Sequence, residues 1–492
     1  MNREKWPRTL PNEIWRMIAQ YLPPQLLLPA AHEQAFKICI PDSVVDPTRD
    51  IYAQFVTIEG TFYIQELSNT AFSGRRGRHL FRGRPTRPVL KIHIAEDHLG
   101  VRGIKFSSSG SDDSPGNTPD IPGVWWRCVS ASSWRGIGMI RARSDGFKVR
   151  DVRIIKFEGD IGSEPKGIDC LRWQVWNPPP VTLMNLKTLW ANSVAPGSFH
   201  RMQSFDCNAP DVTGYSVAIT GESVLTIHSH RKDTDLSFYQ DTPLLRIPTM
   251  WIYMPIDEGE YVKDICRYYP ATSTNPGHRI GLTFTTNRGR TAVFGPYERL
   301  RVGGGNHTRV YSPPEKPTQI YFDVVDQLEP GIRMLAFENP VLPIPMTVPD
   351  SAFPMTREFS EYIWSHIYSS CPMKGVAAII PCVDKTKPEK LVIGMLLIYK
   401  DGHRECLGQM RFDWMVDPLV VGPASKLRIG MSRTKIVCSL LGFHTIRNVA
   451  AVTLGVSKNP NVDRWIDVPW HGTLEWSFTP KLTIIRHDNR VK

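Results

Sequence analysis

The run Leu391-Val392-Ile393-Gly394-Met395-Leu396-Leu397-Ile398-Tyr399 is followed by Lys400-Asp401-Gly402-His403, and the chain then returns through residues 404–412. The apolar run is short, which suits a buried strand better than a buried helix. Asp-Gly supplies residues that tolerate positive φ, as a tight turn between antiparallel strands requires. The stretch therefore reads as a β-hairpin, and the same grammar recurs along the chain. Residues 55–64 read as two strands around Gly60. Residues 280–286 and 291–294 flank Asn287-Arg288-Gly289-Arg290, which has hairpin turn chemistry. Residues 149–157, 214–219, 224–230, 251–254, 449–454 and 473–478 are further strand-length runs. No fixed-period repeat emerges. Two similar strand endings do recur, at Arg153-Ile154-Ile155-Lys156-Phe157-Glu158 and at Arg333-Met334-Leu335-Ala336-Phe337-Glu338.

Composition agrees with many short strands. The 492 residues include 41 prolines and 14 tryptophans, a mix that favours strands and turns over long helices. A hydrophobic content of 41% is enough for globular folding. This length exceeds what one core holds and points to about three domains. Proline-rich stretches at Asn177-Pro178-Pro179-Pro180 and at 341–354 mark boundaries. The expected division is a helical segment at 1–45, then β-rich regions at 51–176, 181–342 and 355–492. A short helix is expected over 358–368, and a disordered loop over 107–122, where Ser, Gly, Asp and Pro dominate.

The nine cysteines are scattered and form no Cys-x-x-Cys pair. No apolar run is long enough to span a bilayer, and the first residues lack the apolar core of a signal peptide. A reducing cytoplasmic or nuclear setting is expected, without a membrane partner and with thiols serving as small buried hydrophobes. The net charge of +11 permits acidic partners without naming one.

The N-terminus reads Leu10-Pro11-Asn12-Glu13-Ile14-Trp15-Arg16-Met17-Ile18-Ala19-Gln20-Tyr21-Leu22. Ile14, Met17, Ile18 and Tyr21 share one face of a helix. Pro11 fits its first turn, and Pro23-Pro24 ends it before a second apolar run at Leu26-Leu27-Leu28. This pattern resembles the opening of an F-box, the helical module that docks on the Skp adaptor of cullin-type ubiquitin ligases. The resemblance covers about forty residues, and Pro29 and the segment Ala35-Phe36-Lys37-Ile38-Cys39 depart from it. It implies that Leu10, Pro11, Ile14, Ile18, Tyr21, Leu22, Leu26 and Leu27 bind the adaptor. The same spacing also suits an N-terminal helix packed on its own domain.

In the middle of the chain, Glu258-Gly259-Glu260-Tyr261-Val262-Lys263-Asp264-Ile265 leads to Arg279-Ile280-Gly281-Leu282-Thr283-Phe284-Thr285-Thr286-Asn287-Arg288-Gly289-Arg290, and Phe294-Gly295-Pro296-Tyr297 closes the segment. This resembles the jacalin-type β-prism lectins, whose strands and Gly-Pro turn follow a similar order. The matching residues are structural, and no sugar-binding residue carries over. With these resemblances the fold class is mainly β, multi-domain, with a β-prism- or β-sandwich-like body and a short N-terminal helical hairpin.

Candidate chemistry is sparse. His228 and His230 share a strand face, a spacing compatible with metal, although no third ligand sits at a familiar distance and packing is the competing reading. Asp257, Glu258 and Glu260 could do acid–base work or simply solvate a turn. The arginine-rich segment 74–91 could grip phosphate, serve as a nuclear signal or form a solvated loop. Phe81 is its one aromatic, which gives little for bases to stack on, so nucleic acid is not the expected partner. Trp470-His471-Gly472 is expected to pack. Gly-x-Ser-x-Gly, Walker and Gly-x-Gly-x-x-Gly motifs are missing from the sequence. The expected function is a non-enzymatic F-box-type substrate receptor, without cofactor or metal, that brings an unknown target protein or glycan to a cullin-RING ligase. The alternative is a jacalin-like carbohydrate-binding protein without a ligase role.

Overall fold

The computed structural model describes residues 42–73, 77–83, 91–107, 121, 123–130, 138–155, 171–175, 184–189, 200–220, 223–240, 249–269, 280–295, 306–323, 331–338, 367–438, 442–479, 483–487 and 490–491. Within them the chain is almost entirely antiparallel β-structure, with short 3-10 turns and no helix of seven or more residues. The expected N-terminal helical hairpin lies outside the described residues. Two compact units divide the chain, Met1–Pro178 and Pro179–Lys492.

The first unit opens with β1 (Ser43–Val45), β2 (Ile51–Ile58), β3 (Thr61–Ser68) and β4 (Gly77–Phe81). It continues with β5 (Lys91–Glu96), β6 (Val101–Ser107), β7 (Trp125–Ser130), β8 (Met139–Ser144), β9 (Val149–Ile155) and β10 (Leu171–Trp173). Pairing follows a simple rule. β1 joins the last hairpin in the order β1-β8-β9, the next three strands pair as β3-β2-β4, and the following three as β6-β5-β7. β10 adds to β7 through the Trp173–Trp126 pair. Each sheet touches the other two. Their inner faces share one core that includes Val45, Ile51, Ile64, Ile94, Ile104, Ile140 and Val152. The Gly77–Phe81 part of the arginine-rich segment is strand β4, not loop. Its Arg78 lies 5.7 Å over the Phe55 ring.

The second unit repeats the rule twice. Its first copy contains β11 (Asn185–Thr188), β12 (His200–Cys207), β13 (Val212–Ile219), β14 (Val224–Arg231), β15 (Met250–Pro255) and β16 (Val262–Tyr269). It ends with β17 (Gly281–Thr286), β18 (Thr291–Phe294), β19 (Asn306–Tyr311), β20 (Thr318–Asp323) and β21 (Met334–Phe337). The sheets run β12-β20-β21, β14-β13-β15 and β17-β16-β19. β11 is added outside β21 and β18 outside β17.

The next copy contains β22 (Ile367–Pro372), β23 (Val376–Val383), β24 (Val392–Tyr399), β25 (Arg404–Gly408), β26 (Leu419–Val420) and β27 (Leu427–Cys438). It ends with β28 (Gly442–Leu454), β29 (Arg464–Val468), β30 (Thr473–Phe478), β31 (Thr483–His487) and β32 (Arg490–Val491). Here the orders are β22-β30-β31, β24-β23-β26 and β28-β27-β29, the last two joined through the Val392–Val449 pair of β24 and β28. β25 is added outside β24, and β32 outside β31. The same nine-strand order therefore occurs three times along the chain. The similar endings at Arg153 and Arg333 now have a place, since they mark the last strands, β9 and β21, of the first two copies. Residues 367–368, expected to end a helix over 358–368, instead begin strand β22.

The turns follow the sequence closely. Glu59 and Gly60 both have positive φ between β2 and β3, and Gly289 does between β17 and β18. Gly281 has a different reason. It lies opposite Tyr268, whose ring carbon Cε1 would stand 1.9 Å from any added Cβ.

Three aromatic rings, one from each sheet, close the second copy. Phe205 on β12 and Phe284 on β17 each lie 5.9 Å from Tyr215 on β13, and 6.3 Å from each other. Asn208 ties the strand ends nearby. Its side chain accepts from Val262 N at 2.8 Å and donates to Val262 O and Pro314 O. Truncating the fully buried Phe284 to Ala (F284A) should cost about 3–5 kcal/mol. Chemical denaturation of the full chain measures it. A loss under about 1 kcal/mol, small for a buried aromatic, would show that the rings do not hold the three sheets.

Candidate functional site at a histidine and aromatic cluster

Period-2 alternation gives the sheet β14-β13-β15 two apolar faces. Tyr215, Val217, Met250, Ile252 and Met254 enter the main core. Ala218, Leu225 and Trp251 form a separate cluster with Tyr239, and Tyr253 joins another with Ile380, Cys382, Leu396 and Met410 of the third copy. The second and third copies thus meet across β15, whose six residues are all buried. Met410 N donates to Trp251 O at 2.9 Å across this junction.

His228 and His230 lie on this outward face. Their rings are 5.4 Å apart and nearly perpendicular. The 3-10 turn Ser237–Tyr239 covers them, with Phe238 stacked on His228 at 3.7 Å. His230 Nε2 lies 2.7 Å from Ser216 Oγ, which is 3.1 Å from the Tyr239 hydroxyl. The third copy closes the cluster. Phe412 packs 4.5 Å from His230 and 4.8 Å from Tyr253, and its backbone N–H donates to the Tyr239 hydroxyl. The Arg411 guanidinium lies 4.9 Å over Tyr239 and 4.0 Å over Trp414, and is paired with Asp413.

These surroundings favour neutral imidazoles. Burial lowers His228 to about 4, against the pull of Asp235. Burial, reinforced by His228, lowers His230 to about 3. The buried His228 Nε2 has no hydrogen-bond partner among the described residues. The two histidines predicted to share a face do so. Among the described residues, however, no group of three or more His, Cys, Asp or Glu side chains is placed to hold a metal.

A second polar group crosses the same junction. Arg404 Nε donates to Asp257 Oδ1 at 3.0 Å, and Arg404 Nη2 to Thr213 O and Ile256 O. Arg290 binds Glu260 through Nε at 2.7 Å and through Nη2, and it pairs with Asp257 at 3.1 Å. Burial alone would raise Glu260, but hydrogen bonds from Arg290 and Thr286 and the Arg290 charge hold it below its ordinary value. Glu405 is raised, chiefly by burial. Of the carboxylates considered for acid–base work, Asp257 and Glu260 are thus bound to guanidinium groups, whereas Glu258 meets Arg288 through its backbone oxygen.

Other candidates sit apart. Trp470 Nε1 donates to Ser425 O at 2.7 Å, and His487 Nε2 donates to the His471 carbonyl at 2.6 Å. Cys207, Cys266, Cys371, Cys382 and Cys406 form no disulfide. Burial pushes the Cys382 thiol up to about 12 and Cys266 up to about 11, which suits packing rather than nucleophilic attack. The adaptor-binding set Leu10, Pro11, Ile14, Ile18, Tyr21, Leu22, Leu26 and Leu27 lies outside the described residues. Sequence reasoning missed Arg290, Arg404, Phe412 and Tyr239. The Arg404 and Phe412 that end the opening hairpin stretch were visible, but nothing local says that they face another copy.

No family model matches the chain, and no curated protein does. Among solved structures, a match is the crystal structure of a lamprey immune protein. It is 11% identical with a TM-score of 0.21, and the match covers 62% of this chain and 98% of that one. A likeness this low carries no argument. Among the described residues no helix is long and apolar enough to cross a membrane.

Replacing Arg290 by Leu (R290L) leaves the enclosed Glu260 carboxylate without its cation. Stability at neutral pH should fall by about 3–5 kcal/mol. The Glu260 pKa then rises, so the folded state holds a proton that the unfolded chain releases, and the deficit shrinks as pH falls through that raised value. Urea denaturation at pH 7 and pH 5 tests both statements. Equal stability of variant and parent at pH 7 would remove the ion cluster from the account of the junction.

Proposed function

We propose that this chain is a non-catalytic recognition protein of the F-box type, in which the N-terminal segment engages a Skp adaptor and the β body holds the target. The observation that carries the recognition half is the threefold recurrence of one strand order. Repeated closed units multiply loop ends on a stiff frame, and such loops are where binding surfaces are commonly carried. What further supports a non-catalytic body is the commitment of its chemical groups. Asp257 and Glu260 are bound to Arg404 and Arg290, and His230 is buried and His228 half-buried among aromatic rings. The adaptor half rests on the sequence of residues 10–27. Such a receptor raises the local concentration of target lysines beside a charged conjugating enzyme.

A pull-down from lysate with and without residues 1–45 tests this reading. Exchanging Ile14 and Ile18 for Ala should weaken adaptor capture at least tenfold, since each buried aliphatic side chain contributes roughly 1.5–3 kcal/mol. Undiminished capture would sink the F-box reading.

A second reading is a β-prism carbohydrate-binding protein without a ligase role. It is favoured by the three-sheet layout of each copy together with the jacalin-type resemblance of residues 258–297. Glycan-array binding that survives deletion of residues 1–45 would favour it. A blank array together with adaptor capture would favour the first.

A further inference from the structure

We infer that the His228–His230 cluster is an acid-sensitive latch between the second and third copies of the repeat, closed by neutral imidazoles and opened when they take up protons. The inference needs neither reading of the function. It starts from geometry. The cover over the two rings comes partly from the Ser237–Tyr239 turn and partly from the third copy, whose Phe412 ring and backbone N–H close on His230 and Tyr239. An imidazolium at His230 would face Phe238, Tyr239, Tyr253 and Phe412 rather than water, while the half-buried His228 stacks on Phe238. Two imidazolium ions 5.4 Å apart would also repel each other. His228 Nε2 has no hydrogen-bond partner among the described residues.

The charged and titratable groups around the cluster do not reverse this balance. Asp235, before the covering turn, draws His228 toward the protonated form, but its carboxylate is exposed and engaged by Ser237. Arg411, from the third copy, brings a positive charge over Tyr239, and Asp413 neutralises it. Tyr239 and Tyr253 are held protonated by burial, as is Cys382. Arg231, next along β14, is paired with Asp206 and Asp211.

The sign follows from linkage. Both histidines have folded-state values below the ordinary 6.5, at about 4 and about 3. Below pH 6.5 the opened junction binds more protons than the closed one. The histidines' contribution to closure is therefore full above about pH 6.5 and is lost progressively as pH falls toward 4. The neighbouring ion cluster responds elsewhere. Glu260 is held low, so its contribution survives until more acidic pH. Glu405 is held high, so its protonation favours the closed form as pH falls. The histidines thus supply the acid-opening slope between about pH 6.5 and 4.5.

Hydrogen exchange on the full chain, corrected for intrinsic rates and resolved at Met410 and Phe412, reads the latch directly. Both amides donate across the junction. Their opening constants should rise about thirtyfold from pH 7.5 to pH 5 through His230, the ring that the third copy covers. His228→Phe with His230→Gln should flatten the dependence, because Phe can still stack on Phe238 and Gln can still bond Ser216. The strands of the first copy, such as β5, should not follow. A flat profile in the parent, an unchanged slope in the double variant, or parallel opening of β5 would each overturn the latch. Should the variant fail to fold, side-chain exchange at the histidine C2 positions of the parent decides. Values well below 6.5 for both rings support the latch, and ordinary values refute it.

Discussion

The three-stranded groups that recur in each copy are small, and the structure depends on how three of them share an interior. A three- or four-stranded sheet with one buried face gains too little on its own. Three such sheets around one core solve the problem, provided that each sends a large side chain to the centre. In the second copy those side chains are Phe205, Tyr215 and Phe284, all in mutual ring contact. The connectivity serves the same end. The first strand of every copy pairs with its last hairpin, so β1 meets β8, β12 meets β20 and β22 meets β30. The end of each copy is thereby tied to its beginning, and the core is closed before the chain goes on.

The junction between the second and third copies adds a further constraint. β15 and β23 lie in equivalent sheets, and both have residues buried on each face. Hydrophobic burial there is non-directional. The polar bonds at its margins fix how the faces meet. Arg404 reaches the Thr213 and Ile256 carbonyls besides Asp257, so its one guanidinium reads backbone and carboxylate together. Removing such a group leaves several acceptors unpaired at once, which makes the cost larger than that of a surface pair.

Much of the β-structure was legible locally. Lys400-Asp401-Gly402-His403 did turn β24 into β25, Gly289 did lie between β17 and β18, and Gly60 did turn β2 into β3. Turn chemistry acts over a few residues, which is why a sequence displays it. The triple recurrence was not legible, for a physical reason as well. The copies differ by inserted strands, β11 and β18 in the second and β25 in the third, so no constant period survives. What recurs is pairing order, a property of hydrogen bonds between distant segments. The two similar endings at Arg153 and Arg333 were its one visible trace. The site was half legible. The spacing of His228 and His230 placed them on one face, but the Arg411-Phe412 cover came from residues about 180 positions away.

Shared topology does not dictate that equivalent faces behave alike. The outward face of β3-β2-β4 in the first copy carries Tyr52, Gln54, Glu66 and His79, of which Glu66 and His79 are exposed. The matching face in the second copy carries Ala218, His230, Trp251 and Tyr253, all buried. In the third it carries Ile380, Cys382 and Leu396, also buried. One strand order thus supports both a solvated face and a docking face. The choice rests on alternate residues of three strands, because successive side chains point to opposite sides of a sheet. The inward set must stay apolar to keep the core, whereas the outward set can change without disturbing it. That freedom is what allows a histidine pair, costly to charge in an interior, to sit at a junction between copies rather than inside one.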